Sequence, residues 1–260
     1  MSAERRQQGV NSIEIGLRLV RVLAGAGAAM TLKDLAAAAQ MPAAKAHRYM
    51  VSLIRAGLVE QQLLSGRYDL GPLALTAGLA ALGRLDHQRL AWEKLVELRE
   101  AVGETVAIAV WNGRGAVITR WEDSPRPVTV NVRVGSVLSP VFSASGRAIA
   151  AFLPREAIEP LVAAEFALGT PTYMGKKLSQ AGYYDLLADI RRRRMTRVQG
   201  DQAPGIAALA APVLNHEGKP LMSLTVIGSQ GAFDLSWTGS NARALDAAAR
   251  DLSARLGYTG

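Results

Sequence analysis

The chain has 260 residues, 49% of them hydrophobic and 20% charged, a balance that supports a packed core and excludes an intrinsically disordered chain. It contains no cysteine, which excludes disulfides and thiolate metal sites and fits an expected cytoplasmic location. A net charge of +8 favours a polyanionic partner through counterion release, with a simple solubility role as the alternative.

The sequence begins Met1-Ser2-Ala3-Glu4-Arg5-Arg6-Gln7-Gln8 with no apolar run after the charges, so no secretory signal is expected. The longest apolar stretch, 73–82, falls short of the ~20 residues that a membrane span needs. Nine Lys/Arg and five acids lie in residues 1–70, so about a quarter of the chain carries half of the net charge.

Ile13, Leu17, Val20 and Leu23 recur at helical spacing and predict a first helix over 12–24, ended by Gly25-Ala26-Gly27. Thr31 is placed to cap a second helix, with Asp34 in the position of a capping-box acid and Leu32, Leu35, Ala36 and Ala39 on the inner face. A third helix follows Met41-Pro42, since proline suits a first helical turn. Ala46, Met50, Leu53 and Ile54 form its apolar stripe, and Gly57 stops it. Its other face carries Ala44, Lys45, His47, Arg48 and Ser52. Short extended runs on either side of Ser65-Gly66 read as a hairpin. Three small helices and a hairpin are the layout of a winged helix-turn-helix, whose third helix presents a polar face to the DNA major groove while the hairpin reaches the backbone or minor groove.

Residues 73–82 predict a linker helix and 86–101 another helix. The period then changes to two, predicting strands over 105–111, 115–121 and 128–132, with Asn112-Gly113 as a hairpin turn. Helices are expected over 145–152, 154–166 and 179–195, then strands over 206–214 and 221–227 and a last helix over 240–256. The fold class is therefore α+β, with a winged helix-turn-helix over 1–71, a linker helix over 72–86 and a larger sheet domain over 87–260.

Four segments resemble the isocitrate lyase regulator (IclR) family of bacterial transcription factors. Ala46-His47-Arg48-Tyr49-Met50-Val51-Ser52-Leu53, followed by Ala56-Gly57-Leu58-Val59-Glu60, is similar to its recognition helix and first wing strand. Tyr68-Asp69-Leu70-Gly71 resembles the exit from the wing, Ser143-Ala144-Ser145-Gly146-Arg147-Ala148 a small-residue loop entering a helix, and Pro204-Gly205-Ile206-Ala207-Ala208-Leu209-Ala210-Ala211-Pro212-Val213 a late core strand. The resemblance spans about 11–256. It implies a homodimer or dimer of dimers on a palindromic operator in double-stranded DNA, no cofactor, and a GAF/profilin-like sensor domain for a small-molecule effector.

The candidate DNA contacts are Thr31, Pro42, Ala43, Ala44, Lys45, His47, Arg48 and Arg67. The alternative for the cations is a solvated basic face, and for Arg48 a brace to Asp34 or Glu60. Where Ala44 and Lys45 stand, many relatives carry small hydroxyl residues. The candidate effector residues are Ser143, Ala144, Ser145 and Gly146 as an anion-cradling helix start, and Ala109, Trp111, Val130, Ala207, Leu209 and Thr225 as walls. Asp201 and Gln202 are hydrogen-bonding candidates, with loop surface as the alternative, and Trp111, Arg120 and Arg147 suit an aromatic or carboxylated metabolite if they face inward. The run Arg191-Arg192-Arg193-Arg194 reads as the cationic end of a helix rather than a second DNA patch.

Other chemistries find no support. Gly25-Ala26-Gly27 follows a helix and lacks a third glycine, and Gly175-Lys176-Lys177 lacks the hydroxyl of a phosphate-binding loop. There is no G-x-S-x-G elbow, and His47, His87 and His216 lack metal spacing, so neither an enzyme nor a metal site is expected. The rival reading that survives is a dimeric DNA-binding adaptor whose C-terminal domain is filled by its own side chains.

Overall fold

In a computed structural model, residues 9–84, 86–125 and 132–260 are described, with nothing said of the Leu82 side chain. The chain divides into two compact units, Met1–Leu85 and Asp86–Gly260.

The first unit holds α1 (Asn11–Gly25), α2 (Leu32–Ala38), α3 (Ala43–Arg55), strands β1 (Val59–Gln61) and β2 (Tyr68–Leu70), and α4 (Pro72–Arg84). Thr31 caps α2 as its spacing predicts. Its hydroxyl accepts from Asp34 N at 3.2 Å and donates to the Asp34 carboxylate at 2.8 Å. The three helices and the wing share one apolar core of Leu19, Leu23, Leu35, Ala46, Met50 and Val59, closed by Tyr68. Tyr68 also exchanges two backbone hydrogen bonds with Met30, which anchors the base of the wing to the α1–α2 connection.

The second unit begins with α5 (His87–Val102), followed by β3 (Thr105–Trp111), β4 (Ala116–Glu122) and β5 (Val137–Leu138). The predicted strand over 128–132 falls mostly on residues outside those described, and the strand that pairs with β4 is the later β5. Next come α6 (Ala144–Ala150), α7 (Arg155–Leu168), the small hairpin β6 (Thr172–Tyr173) and β7 (Lys176–Lys177), and α8 (Gln180–Arg193). The unit closes with β8 (Thr196–Gln199), β9 (Ile206–Leu214), β10 (Pro220–Ser229) and α9 (Ser240–Arg255). The six-stranded sheet is antiparallel, in the order β5-β4-β3-β10-β9-β8.

Beside α6, one sheet face buries Ala107, Ala109, Ile118, Ala208, Ala210 and Ile227 together with Ala144, Ala148 and Ile149 of that helix. On the other face α9 packs on β9 and against α5. Strands β9 and β10 are covered on both sides, which is why they read as unbroken apolar runs rather than alternating ones. Their side chains still alternate between the two faces.

Candidate nucleic-acid interface and ligand cavity

On α3, Ala46 and Met50 are fully buried, four residues apart. Helical geometry then turns Ala44, Lys45, His47, Arg48 and Ser52 away from the core, and all five are exposed. Pro42, Ala44, Lys45, Arg48, Tyr49 and Ser52, with Ser12 of α1, line an open groove. His47 is exposed outside that groove, and Pro42 is the N-cap residue with Ala43 the first helical position. Arg48 forms no brace to Asp34 or Glu60: among the described residues, none of the cations of the first unit has an ion-pair partner, whereas the second unit holds several pairs.

Two of the candidate DNA contacts have structural roles as well. The Thr31 hydroxyl is committed to capping α2. Arg67 is exposed on the wing and donates from Nη1 to Ala29 O at 3.1 Å, leaving its other donors facing solvent.

In the second unit a cavity of about 70 Å3 lies between α6 and the sheet. Its walls are largely Ile118, Trp121, Val132, Leu138, Val198 and Ile206, with Ala144, Ala203, Ala208 and Ile227; Ser143, Ser145, Gln202 and Thr225 supply the polar atoms. Ser145 Oγ and Thr225 Oγ1 hydrogen bond each other at 2.8 Å across the α6–sheet layer. No charged side chain lines this cavity among the described residues.

Of the sequence candidates, Ser143, Ala144, Ser145 and Thr225 come together here. Ala207 and Leu209 do not: their neighbours Ile206 and Ala208 face the cavity, so these two point to the opposite side of the sheet. Ala109 lies in the core on the cavity side without lining the cavity, Trp111 packs between two core clusters, and Val130 is outside the described residues. Gly146 is absent from the lining. A Cβ there would stand 2.1 Å from Ser139 O and 2.7 Å from Ser143 Oγ, so this glycine serves backbone packing. Its N–H is already taken by Ser143 Oγ at 2.8 Å, which removes the anion cradle.

The basic candidates are committed elsewhere. Arg147 is fully buried and pairs with Asp201 at 2.7 Å; its Nε donates to Val141 O and its Nη2 to Thr172 O, and its guanidinium sits over the Tyr173 ring. Asp201 takes a further hydrogen bond from Met174 N at 3.2 Å. Arg120 is exposed, donates to its own neighbour's carbonyl at Thr119, and lies over Trp92. In the arginine run, Arg192 and Arg193 pair with Asp189 at the end of α8. Gln202, a hydrogen-bonding candidate from the sequence, lines the cavity, whereas its partner candidate Asp201 does not; Trp121 and Ala208 line it without having been expected, and the only signal for Ala208 is the alternation that sets it opposite Ala207.

Residues 12–63 match the IclR helix-turn-helix domain, and residues 79–254 match the family described as Bacterial transcriptional regulator IclR C-terminal. The chain belongs to the IclR family of bacterial transcription regulators. The crystal structure of Pseudomonas aeruginosa HmgR is similar, with 38% identity, a TM-score of 0.81, and coverage of 96% of this chain and 100% of that one. The Glycerol operon regulatory protein of Streptomyces griseus is 28% identical over 254 residues, 96% of each chain. The Transcriptional repressor IclR of Escherichia coli K12 is 25% identical, covering 84% of this chain and 80% of that protein. The IclR chain is thus a DNA-binding regulator with an effector-binding C-terminal domain, and the relatives named here are transcription regulators. Among the described residues no group of three or more His, Cys, Asp or Glu is placed to hold a metal ion, and no helix is long and apolar enough to cross a membrane.

Proposed function

We propose that the protein is a homodimeric repressor that grips a palindromic operator through α3 and the wing and is controlled by a small, uncharged, largely apolar effector held between α6 and the sheet. The observation that carries the DNA contacts is the outer face of α3, where Lys45, His47 and Arg48 are exposed with no ion-pair partner above a core fixed by Ala46 and Met50. Pro42, Ala43 and Ala44 bring the start of that helix close to the groove, and Arg67 adds a phosphate contact from the wing. Repression follows the printed name of the Escherichia coli relative.

Dimer formation is supported by apolar surface left exposed among the described residues. Val10, Ile13 and Leu17 form one exposed stripe at the start of α1, and Leu75 and Leu79 form another on α4. A second copy covering such stripes gives the two-fold symmetry that a palindromic operator requires.

The effector class follows from the cavity walls: Trp121 and aliphatic side chains, with Ser145 and Thr225, which bond each other and keep one hydroxyl donor between them, to orient a neutral polar group. A carboxylate would enter without a counter-charge among the described lining residues, at a high desolvation cost. The cavity is small, about 70 Å3, and in this reading an aromatic ring enters as its rim at Gln202 and Ala203 moves. Such movement is the means by which occupancy changes operator affinity.

The test is fluorescence anisotropy on operator fragments selected by the full-length protein. Expected are tight binding that weakens with salt and a further change in affinity with a neutral phenol, found by a thermal-shift screen. The Ala203→Trp variant should keep DNA binding and lose the ligand response. A protein that retains no DNA, or an Ala203→Trp variant that responds fully, overturns the corresponding half of the proposal.

A further inference from the structure

The wing carries a feature that phosphate contact does not use. Leu63 and Leu64, at its tip, are 101% and 104% exposed. Two adjacent leucines fully in water make a small apolar point, and the backbone beneath them is fixed: Gln62 N donates to Arg67 O at 2.8 Å, Gly66 N to Gln62 O at 2.9 Å, and Gln61 Nε2 to Gly66 O at 2.9 Å, while Ser65 Oγ donates to Gln62 Oε1 at 2.6 Å. Gly66 takes the positive φ of 66° that lets the chain close beneath the two leucines. The base of the same hairpin is tied to the α1–α2 connection through Met30 and Ala29.

Arg67 stands at the foot of this apolar tip, and the same unit presents the unpaired Lys45 and Arg48 on the outer face of α3. An apolar point beside uncompensated positive charge is complementary to a polyanion with an apolar interior, which is the description of a duplex whose base pairs are stacked behind phosphates. We infer that Leu63 and Leu64 enter the minor groove next to the major-groove segment read by α3 and wedge open a base step, bending the DNA. This inference rests on the DNA-binding reading above. Aliphatic wedges of this kind partly unstack a step and kink the duplex, and they favour flexible pyrimidine–purine steps, so the wing adds sequence preference without a base hydrogen bond.

The experiment uses the full-length protein and a duplex selected by it from a random-sequence pool, labelled at both ends for energy transfer and titrated by anisotropy at several salt concentrations. With the native protein the ends should approach. Leu63→Ala with Leu64→Ala should straighten the DNA and weaken binding roughly tenfold, leave the salt slope unchanged, and keep the native melting temperature because both sites are fully exposed. Restoring bulk with Leu63→Met and Leu64→Met should restore the bend. Arg67→Ala should do the reverse of the alanine pair, lowering the salt slope by about one while retaining the bend. An unchanged bend in the alanine pair overturns the inference while leaving the DNA-binding reading intact. So does a DNA-free dimer that dissociates in that variant, which would assign the leucines to a second copy. Failure to select any sequence sinks both readings.

Discussion

Arg147 and Asp201 form an ion pair of 2.7 Å in which neither side chain has any exposed surface. The pair fastens α6 to the turn before β9, whose next residues, Gln202 and Ala203, form part of the cavity wall. Removing one partner strands the other charge in the interior, at a cost of about 3–5 kcal/mol. Arg147→Met and Asp201→Leu should each lower stability by that order in urea denaturation of the full-length protein. The double variant Arg147→Met with Asp201→Leu should be less destabilised than the sum of the single losses. Additive losses would show that the pair is not coupled.

The unpaired cations of α3 give a second prediction. Lys45→Ala and Arg48→Ala should each make the dependence of log K on log[salt] shallower by about 0.9 per lost phosphate contact, with weaker binding across all sequences. Arg55→Ala, at the far end of the same helix, is the control. Anisotropy titrations between low and moderate salt decide it, and equal slopes for Lys45→Ala and the native protein would remove Lys45 from the interface.

At Gly146 the neighbours are backbone. The Ser139 carbonyl, 2.1 Å from an added Cβ, also accepts hydrogen bonds from Ser143 Oγ and Ser143 N. Gly146→Ala must displace that turn, at a cost of about 1–3 kcal/mol, the usual penalty for overpacking a close contact. Helix propensity alone would make the same change stabilising by up to ~1 kcal/mol. A variant that melts higher than the native protein would therefore show that the turn yields.

Glu165, half-buried on α7, accepts from Ser139 Oγ, and burial pushes its carboxyl above the ordinary glutamate value despite that hydrogen bond. The folded state thus holds its proton more tightly than the unfolded chain. The resulting stability is present in full below about pH 4.3, the ordinary glutamate value, and is lost as pH rises through the raised value. Glu165→Gln, which cannot ionise, should show a smaller loss of stability across that interval. Melting temperatures of both proteins from pH 4 to pH 7 test this, and parallel curves would contradict it.

The helices of the first unit were legible in the sequence because each signal there is local. The Thr31 cap, the Ala46–Met50 spacing and the Gly66 turn act within a few residues, so period and turn chemistry suffice. The cavity was legible only in part, because its walls depend on which face of a strand looks inward. In β9 the run Ala207-Ala208-Leu209-Ala210-Ala211 is apolar at every position since both faces are covered, and a uniform run carries no phase. Choosing Ala207 and Leu209 over Ala208 was an error of one residue in register. Strand β8 was missed because the helical arginine run leads straight into it, and the break is made by Arg194 in a left-handed conformation, φ 57°, where glycine is the usual signal. The fate of Arg147 was hidden for another reason: its partner lies 54 residues away, and no local pattern joins them.

The unneutralised cations of the first unit have a cost in the absence of DNA. Among the described residues no carboxylate is close enough to pair with Lys45, Arg48 or Arg67, so the repulsion within this net-positive unit is only partly offset. Added salt relieves that strain, and so does a duplex. Rising ionic strength should therefore make the free head more resistant to heat while loosening its hold on the operator, so that the protein is sturdiest without a target under the conditions where it binds least.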